Sequence, residues 1–208
     1  MLALASARCA PNIVGAADGG PSRDAGGDTP DAADPNAYPA PGPKGYGFEL
    51  DDVVPNVEFW GYLSRTPGQD AVDTTAYVAF GMDDARSEDD RFVLFNIGAD
   101  WCLPCKQEAR VLPGKVATWA PLGGTVMSVI IEDREFNPAT RATLDTWVAQ
   151  YQPNYTMLHD PEGHVQRWLA PATLPVNLII ALPSMKIVGA STGENAEFFD
   201  LFENRLKQ

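Results

Sequence analysis

The sequence predicts an α/β fold in which a central mixed β-sheet is flanked by helices. Two continuous apolar runs, Phe92 to Ile97 and Val126 to Ile131, have the composition of central strands covered on both faces. A segment with helical periodicity separates them, which predicts a crossover between two parallel strands. Two further apolar runs, residues 176–181 and 186–190, are joined by a short Leu-Pro-Ser-Met segment that predicts a hairpin. Crossovers followed by a hairpin produce a mixed sheet.

The first half of the folded region contains short strands followed by a long helix. Residues 53–63 and 77–80 are predicted strands, and residues 83–91 form a charged loop before the first central strand. A helix is predicted from about Leu103, and Pro113 within it should kink or interrupt it. Its apolar residues recur at spacings of four and three, which marks one buried face: Cys105, Ala109, Leu112, Val116 and Trp119.

The second half adds three helices and an edge strand. Asn137-Pro138 is predicted to open a helix, with Asn as the N-cap and Pro at the first helical position. Residues 155–158 are predicted as a short edge strand and residues 162–169 as a short helix. The last helix is predicted from about Asn195. The expected inward side chains of the two longer helices are Leu144, Trp147, Val148 and Tyr151 in one, and Phe198, Leu201, Phe202 and Leu206 in the other.

The N-terminal segment has a different composition from the rest. Residues 10–44 are rich in Ala, Gly, Pro and Asp, so they cannot bury enough surface to offset their ordering entropy. We therefore assign residues 1–44 to a disordered tail or tether and residues 45–208 to one domain. Residues 2–7 are apolar but too few for a complete secretory signal. Cys9 is either a lipid anchor, although Arg8 precedes it where a small residue is expected, or a free thiol.

Charge and cysteine content limit the classes of function. The formal net charge of −13 disfavours nucleic acid or an anionic membrane surface as a partner bound through the overall field. No apolar run approaches the length of a transmembrane helix. The three cysteines, Cys9, Cys102 and Cys105, are an odd number with one close pair, unlike a structural disulfide framework.

Cys102 and Cys105 carry the chemistry that the sequence predicts. Three residues apart at the start of a helix, they lie on one side of its first turn and can form a small reversible disulfide. Cys102 is at the N-terminal edge, where unpaired N–H groups and the helix dipole lower a thiol pKa. Cys105 is on the apolar face and should ionise less. Cys102 is therefore the expected attacking thiolate and Cys105 the resolving thiol. Pro104 is tolerated in the first turn and stiffens the motif.

Metal binding is the main alternative for this pair, and we do not predict it. One Cys-x-x-Cys motif supplies half of a zinc site, which needs two more ligands. His159 and His164 are the only histidines, and they lie five residues apart in a turn-like stretch. The lack of a histidine near the cysteines also argues against copper. No cofactor beyond the redox-active disulfide is expected.

The segment FVLFNIGADWCLPCKQE, residues 92–108, resembles the thioredoxin superfamily, and specifically the TlpA/ResA-like thiol–disulfide oxidoreductases of bacterial envelopes. Trp101 before the first cysteine and the Cys-x-Pro-Cys form match the family. Glu108, three residues after Cys105, and Asn96, six before Cys102, match the subfamily. The resemblance covers about residues 50–207 and implies a thioredoxin-like fold.

The resemblance also implies roles for residues around the cysteines. In the family, the proline that corresponds to Pro175 is cis and packs beside the disulfide, and the residue before it, here Leu174, offers its backbone to the substrate. The residues implied as support for the active site are Trp101, Leu103, Pro104, Glu108 and Asn96.

Three positions depart from the family pattern, and one is Pro113, which lies three residues later than the usual helix proline. Gly98 stands where an aromatic residue is common, so the wall beside the site is expected to be more open. Asn96 replaces the buried aspartate of cytosolic thioredoxins, so the usual proton acceptor for Cys105 is absent. Glu108 is the nearest substitute by sequence, or else it is a solvated helix residue.

The predicted function is disulfide exchange with cysteine-containing protein substrates, supplied with electrons by an upstream thiol reductant. The resemblance and the tail imply a location in the bacterial periplasm or envelope, with the N-terminus as a tether. They imply a reductant, with oxidative exchange as the alternative, since the direction depends on the reduction potential. A peroxiredoxin-like thiol peroxidase is one alternative, although the PxxxTxxC setting of that class does not precede Cys102. A non-catalytic binding module with a thioredoxin fold is the other, and the presence of both cysteines argues against it.

Overall fold

The computed structural model describes residues 37–86, 90–169 and 173–208, and the backbone alone of Trp168. The chain divides into two units, Met1–Ala37 and Tyr38–Gln208, and all the elements below belong to the second. The strands are β1 Glu58–Tyr62, β2 Tyr77–Gly81, β3 Phe92–Gly98, β4 Gly124–Ile130, β5 Thr156–His159, β6 Val176–Ala181 and β7 Lys186–Thr192. The α-helices are α1 Leu103–Trp119, α2 Arg141–Tyr151, α3 His164–Trp168 and α4 Ala196–Leu206. Short 3₁₀ turns span Met82–Ala85 and Ala120–Leu122.

The strands form one mixed sheet in the order β2-β1-β5-β4-β3-β6-β7. β3, β4 and β5 are parallel neighbours, whereas β1, β2, β6 and β7 join by antiparallel pairing. Helices link the parallel strands, as crossovers require, and β6 and β7 form the predicted hairpin. The predicted fold class, a mixed sheet flanked by helices, is confirmed.

The hydrophobic core lies where the apolar runs predicted it. Apart from the half-buried Phe92 and Thr125 and the C-terminal Ala181, every residue of β3, β4 and β6 is buried. The predicted inward faces of α1 and α2 are buried along their whole length. The sheet and α1 therefore hold the segment between β3 and α1 in a fixed position.

Pro113 does not interrupt α1, which was one of the two predicted effects. The helix runs continuously from Leu103 to Trp119. A proline inside a helix costs about 3 kcal/mol, but Leu112, Val116 and Trp119 around it are all fully buried. Burying each such side chain contributes about 1.5–3 kcal/mol, so packing outweighs the lost backbone hydrogen bond.

The predicted start of α2 is also wrong. The helix begins at Arg141, and its N-cap is Thr140, which exchanges hydrogen bonds with Thr143 in a capping box. Asn137 lies in the preceding loop, because its backbone N–H donates to Asp133 Oδ1 at 2.9 Å. Because Asp133, four residues earlier, accepts this hydrogen bond, Asn137 is held in the loop and does not cap the helix.

Three further expectations are corrected by the packing of distant elements. β5 is not an edge strand, because β1 pairs with its outer side while β4 pairs with the other. The first predicted strand is shorter and spans only Glu58–Tyr62. In α4, Leu201 is exposed and Phe199 is buried, with its ring against Trp119 at 5.9 Å between centroids.

The tail assigned to residues 1–44 stays a prediction. Residues 1–36, including Cys9, lie outside the described residues. The Tyr38 hydroxyl donates to the carbonyl of Val54 at 2.7 Å, so the described chain is in contact with the domain from this point. Over the ranges that the structure describes, no helix is long and apolar enough to cross a bilayer.

Candidate active site

The two motif cysteines meet at the junction between β3 and α1. β3 ends at Gly98, Cys102 is the N-cap of α1, and Cys105 lies in the first helical turn. Their sulfurs are joined in a disulfide of 2.02 Å, with 5.3 Å between the Cα atoms. The spacing of the sequence motif thus produces a closed pair at a helix N-terminus.

Contacts distinguish the two cysteines, whereas burial does not. Cys102 and Cys105 are 2% and 4% exposed. The Sγ atom of Cys102 accepts a hydrogen bond from the backbone N–H of Cys105 at 3.1 Å. This donor, together with the helix N-terminus, stabilises negative charge on Cys102. Pro104 follows at the second helical position, where it removes no helical hydrogen bond.

Gly98 lies directly beneath Cys105. A Cβ atom at this position would be 3.1 Å from Cys105 Cβ and 3.3 Å from its Sγ. The expected opening of the wall at Gly98 is therefore wrong, because Cys105 occupies the space that a larger side chain would need. The glycine allows the disulfide to sit against the sheet.

Glu108 is buried and is not a solvated helix residue. Its side chain lies one turn beyond Cys105 on the buried face of α1 and is 5% exposed. Asn96 Nδ2 donates to its Oε2 at 2.8 Å, and Asn177 Nδ2 donates to Oε1 at 3.0 Å and to Oε2 at 3.2 Å. Burial raises the pKa of Glu108 to about 7, although the two amide donors act in the opposite direction.

The residue that sequence reasoning missed is Asn177. It is fully buried on β6, and its pairing register sets it opposite Asn96 on β3, which in turn pairs with Ser128 on β4. The three side chains form a polar row across the middle of the sheet beneath Glu108. The available signal was the single amide in the apolar run Val176 to Ala181, since buried polar groups need partners.

The hydrogen bonds of this row all point toward Glu108. Ser128 Oγ donates to Asn96 Oδ1 at 2.8 Å, and Asn96 Nδ2 donates to Asn177 Oδ1 at 2.8 Å as well as to Glu108. Burial raises the pKa of the Tyr155 hydroxyl. Ser128 occupies the acceptor of Asn96, and Asn96 occupies the acceptor of Asn177. The row therefore directs only N–H groups at the Glu108 carboxylate.

Leu174 and Pro175 immediately precede β6, and the peptide bond between them is cis. Val176 pairs with Ile97, so the register sets Pro175 next to Gly98 at the end of β3. The carbonyls of Thr173 and Pro175 both accept from the N–H of Gly193, at 3.0 and 2.8 Å. Among the described residues, the backbone of Leu174 between them has no backbone hydrogen-bond partner.

Trp101 and Leu103 form the exposed rim of the site. Trp101 is 39% exposed, and its indole N–H donates to Glu132 Oε2 at 2.7 Å. Leu103 is 65% exposed on the first turn of α1. Trp101, Leu103, Pro104 and Glu108 lie with the two cysteines between the end of β3 and the second turn of α1. Asn96 lies within β3 and is hydrogen-bonded to Glu108, and Leu174 and Pro175 precede β6.

The hydrogen bonds of His159 do not indicate a metal ligand. His159 is hydrogen-bonded through Nε2 to the Tyr77 hydroxyl and through Nδ1 to the Ala139 carbonyl at 2.9 Å. The carbonyl can only accept, so Nδ1 carries the proton and Nε2 accepts. Within residues 37–86, 90–169 and 173–208, no cluster of three or more His, Cys, Asp or Glu residues could hold a metal ion.

The sequence matches one known family model. The model described as the AhpC/TSA family aligns with residues 69–181, more than half of the chain, including both motif cysteines. No curated protein sequence gives a significant match.

Several solved bacterial structures share the fold of this chain. A Chlorobium tepidum protein assigned as a thiol:disulfide interchange protein DsbE is 19% identical, with a TM-score of 0.57 over 77% of this chain and 97% of its own. The thioredoxin domain of a Bacteroides vulgatus thiol-disulfide oxidoreductase is 14% identical, with a TM-score of 0.55 over 77% and 99% of the two chains. Enterococcus faecalis AhpC is 17% identical, with a TM-score of 0.52 over 76% and 90%. These similarities confirm the predicted thioredoxin-like fold.

Proposed function

Since this chain belongs to the AhpC/TSA family, we propose that it is a thiol–disulfide oxidoreductase that exchanges disulfides with cysteine-containing proteins. The observation that carries the proposal is the Cys102–Cys105 disulfide at the N-terminus of α1, one helical turn from the buried carboxyl group of Glu108. A reversible disulfide needs a stabilised thiolate and a group that takes up the proton of the second thiol. Both are near Cys105 along the chain, with Cys102 three residues before it and Glu108 three residues after it.

In the first step the reduced protein acts as a nucleophile. The Cys102 thiolate, stabilised by the Cys105 N–H and the helix N-terminus, attacks one sulfur of a substrate disulfide. A bond forms between Cys102 and that sulfur, and the second substrate sulfur leaves as a thiolate. The substrate is then held through a mixed disulfide.

In the second step Cys105 resolves the mixed disulfide. Glu108 in its carboxylate form accepts the Cys105 proton, and a pKa of about 7 suits a base that works near neutral pH. The Cys105 thiolate attacks Cys102 Sγ, the Cys102–Cys105 bond forms, and the remaining substrate sulfur leaves as a thiolate. Two electrons have passed to the substrate, and an upstream dithiol reductant restores the pair while becoming a disulfide itself.

Leu174 is the proposed backbone anchor for the substrate. Its N–H and C=O have no backbone partner among the described residues, so an extended segment could pair with them beside the disulfide. Such pairing aligns a substrate sulfur with Cys102 without demanding a particular sequence. The proposed partners are therefore cysteine-bearing polypeptides in an extended conformation.

The proposed location is the bacterial periplasm or envelope, with the protein acting as a reductant. Support comes from the bacterial thiol:disulfide interchange proteins that share the fold and from the tail predicted for residues 1–44. A lipid on Cys9 would tether the domain to a membrane. An oxidising compartment is also where protein disulfides in need of reduction occur.

A thiol peroxidase is the second candidate, and the family match together with the fold shared with AhpC favours it. In that reaction the Cys102 thiolate would attack a hydroperoxide, release the alcohol or water, and become a sulfenic acid. Cys105 would condense with it to form the same disulfide and release water. Both candidates use the same two sulfurs and differ in the oxidant.

Trapping and turnover assays test the proposal. The full chain should reduce insulin with dithiothreitol as the electron source, and Cys105→Ser should accumulate mixed disulfides through Cys102. The matched variant Cys102→Ser should accumulate none. Trapping through Cys9, or no insulin reduction, would contradict the proposal. Rapid peroxide consumption with sulfenic acid on Cys102 would establish the peroxidase instead.

A further inference from the structure

Three large apolar side chains are exposed next to the disulfide. Trp101, Leu103 and Phe136, which we call the aromatic platform, are 39%, 65% and 65% exposed. They are three of the seven large apolar side chains that are exposed in the described ranges. The rings of Trp101 and Phe136 are in contact, with 5.1 Å between centroids. A cluster of this kind beside a reactive group marks an interaction site more often than scattered exposure does.

Phe136 is held outward at a conformational cost. Its φ angle of +64° is in the left-handed region, which is unfavourable for a bulky side chain. The loop that imposes this angle is braced by Asp133, whose Oδ1 accepts from the N–H groups of Glu135 and Asn137, both at 2.9 Å. The Asp133 N–H donates to the Asn137 carbonyl at 2.8 Å. A strained residue with an exposed ring suggests a role in binding.

Hydrogen bonds also hold the Trp101 side chain in place. Its indole N–H donates to Glu132 Oε2 at 2.7 Å, and Gln166 Nε2 donates to Glu132 Oε1 at 3.0 Å. Both carboxylate oxygens are thus occupied by neutral donors, and the indole ring is held against Phe136. The platform is therefore preorganised, which lowers the entropic cost of binding.

The surroundings of the platform are negatively charged. Asp100 is paired with both Lys106, at 3.3 Å, and Arg134, at 3.0 Å. Glu132, Asp133 and Glu135 make no ion pair with a described residue, and hydrogen bonds from the loop backbone hold the pKa of Asp133 below its usual range. A shallow hollow of about 290 Å³ beside the loop is lined by Asp100, Asp133, Arg134 and Glu135 together with residues of α2.

We propose that the aromatic platform docks the substrate segment beside its cysteine, and that it selects a segment with a large apolar residue followed by a basic one. The apolar side chain packs on the rings of Trp101 and Phe136, and the basic side chain meets the carboxylates of the loop. The inference rests on the proposed disulfide exchange and adds its substrate preference. Charge complementarity favours a basic polypeptide over an acidic one.

Four synthetic peptides test the preference. Each carries one cysteine as a mixed disulfide with thionitrobenzoate. The residue next to the cysteine is Phe or Ser, and the residue that follows this one is Lys or Glu. The quantity measured is the second-order rate constant for release of thionitrobenzoate when each peptide is mixed with an excess of the pre-reduced full chain. We expect the Phe-Lys peptide to react about tenfold faster than the Ser-Glu peptide, with the Lys preference weakening as salt is raised.

Variants assign the preference to the platform. Phe136→Ala should remove most of the Phe-over-Ser ratio, and Glu135→Gln should reduce the Lys-over-Glu ratio. Leu201→Ala, at an equally apolar exposed position on α4, should keep both ratios. Phe136→Gly removes the ring and relieves the left-handed backbone, so it provides the same measurement should Phe136→Ala fail to fold.

The outcomes separate this inference from the proposed function. Equal rates with all four peptides would overturn the platform while leaving disulfide exchange intact. An unchanged Phe-over-Ser ratio in both Phe136 variants would equally overturn it. No reaction with any peptide, in a chain that also fails to reduce insulin, would overturn the oxidoreductase itself.

Discussion

The side-chain amide of Asn177 donates hydrogen bonds to both carboxylate oxygens of Glu108, at 3.0 and 3.2 Å. These residues come from β6 and α1 and are 69 positions apart in the sequence. Asn96 adds a third donor bond to the same carboxyl group. The arrangement holds a buried acid one turn from Cys105 and supports its ionised form against the cost of burial. The following experiments depend on that balance.

Replacing Glu108 with Gln should remove a pH-dependent step. The proposed base must be ionised, so resolution by Cys105 should accelerate as the pH rises through the Glu108 pKa of about 7. Glu108→Gln should lose this inflection and resolve about 10²-fold more slowly near neutral pH. The measurement is single-turnover release of the second substrate thiol between pH 5 and 9. Glu197→Gln on α4 is the control, and an inflection that persists in Glu108→Gln would contradict the assignment.

Removing the amide of Asn177 should move the same inflection of the pH–rate profile to higher pH. Asn177→Leu keeps similar volume but takes away two hydrogen bonds that favour the carboxylate, so the pKa of Glu108 should rise above 7. The groups that influence this carboxyl group besides the two asparagines are Tyr155 and Glu194, and both stay in the variant. The pH–rate profile described above measures the shift.

A matched change elsewhere separates this effect from loss of stability. Asn154 is also buried, and its amide donates to the Pro113 carbonyl at 3.0 Å, away from Glu108. Asn154→Leu should destabilise the fold by about 1–3 kcal/mol while the kinetic pKa stays near 7. Equal pH profiles for the two variants would show that Asn177 does not tune Glu108.

The free energy of unfolding of the oxidised protein should fall as the pH rises from about 4.5 to 7, as far as Glu108 contributes to it. Glu108 has a folded-state pKa of about 7 against a usual value of 4.5, so the folded state binds more protons in this range. Stability is then greatest below pH 4.5 with respect to this group and falls as pH rises, by about 3 kcal/mol in total. His159 acts with the opposite sign, because burial lowers its pKa.

The difference between two proteins isolates the contribution of Glu108. Urea unfolding of the oxidised wild type and of Glu108→Gln at several pH values gives two stability curves. The difference in the free energy of unfolding should favour Glu108→Gln increasingly from pH 5 to 8. Parallel curves would mean that the buried carboxyl group has an ordinary pKa.

Adding a methyl group at Gly98 should disturb the disulfide directly. Its Cβ would lie 3.1 Å from Cys105 Cβ and 3.3 Å from Sγ, closer than most packed side-chain contacts, so Cys105 would have to move by a few tenths of an ångström. Gly98→Ala should therefore destabilise the oxidised protein by about 1–3 kcal/mol. Thermal or urea unfolding measures the loss.

Gly114 provides the matched control on α1. Nothing lies within 4 Å of a Cβ at this position, so Gly114→Ala should be neutral or stabilise the helix by up to about 1 kcal/mol. A Gly98→Ala protein as stable as Gly114→Ala would show that Cys105 can move away from β3 without cost.

The amino-acid sequence by itself determined the features that depend on neighbours within a few positions. The cysteine pair at a helix start follows from the spacing of Cys102 and Cys105, and the buried faces of α1 and α2 follow from apolar periodicity. The runs that became β3, β4 and β6 were also evident, because a strand buried on both faces is apolar throughout. Local preferences failed where two competed, as when Asp133 bound Asn137 and left Thr140 to cap α2.

Only the tertiary structure decided which distant residues meet. β5 became a central strand because β1, almost a hundred residues earlier, pairs with it. Glu108 is buried because α1 lies over the polar row of Ser128, Asn96 and Asn177, whose contact is set by the register of three separate strands. Strand register depends on how the whole hydrophobic core packs. The disulfide could therefore be predicted from a pattern of four residues, but the position of the carboxyl group that we propose as its base depended on the complete sheet.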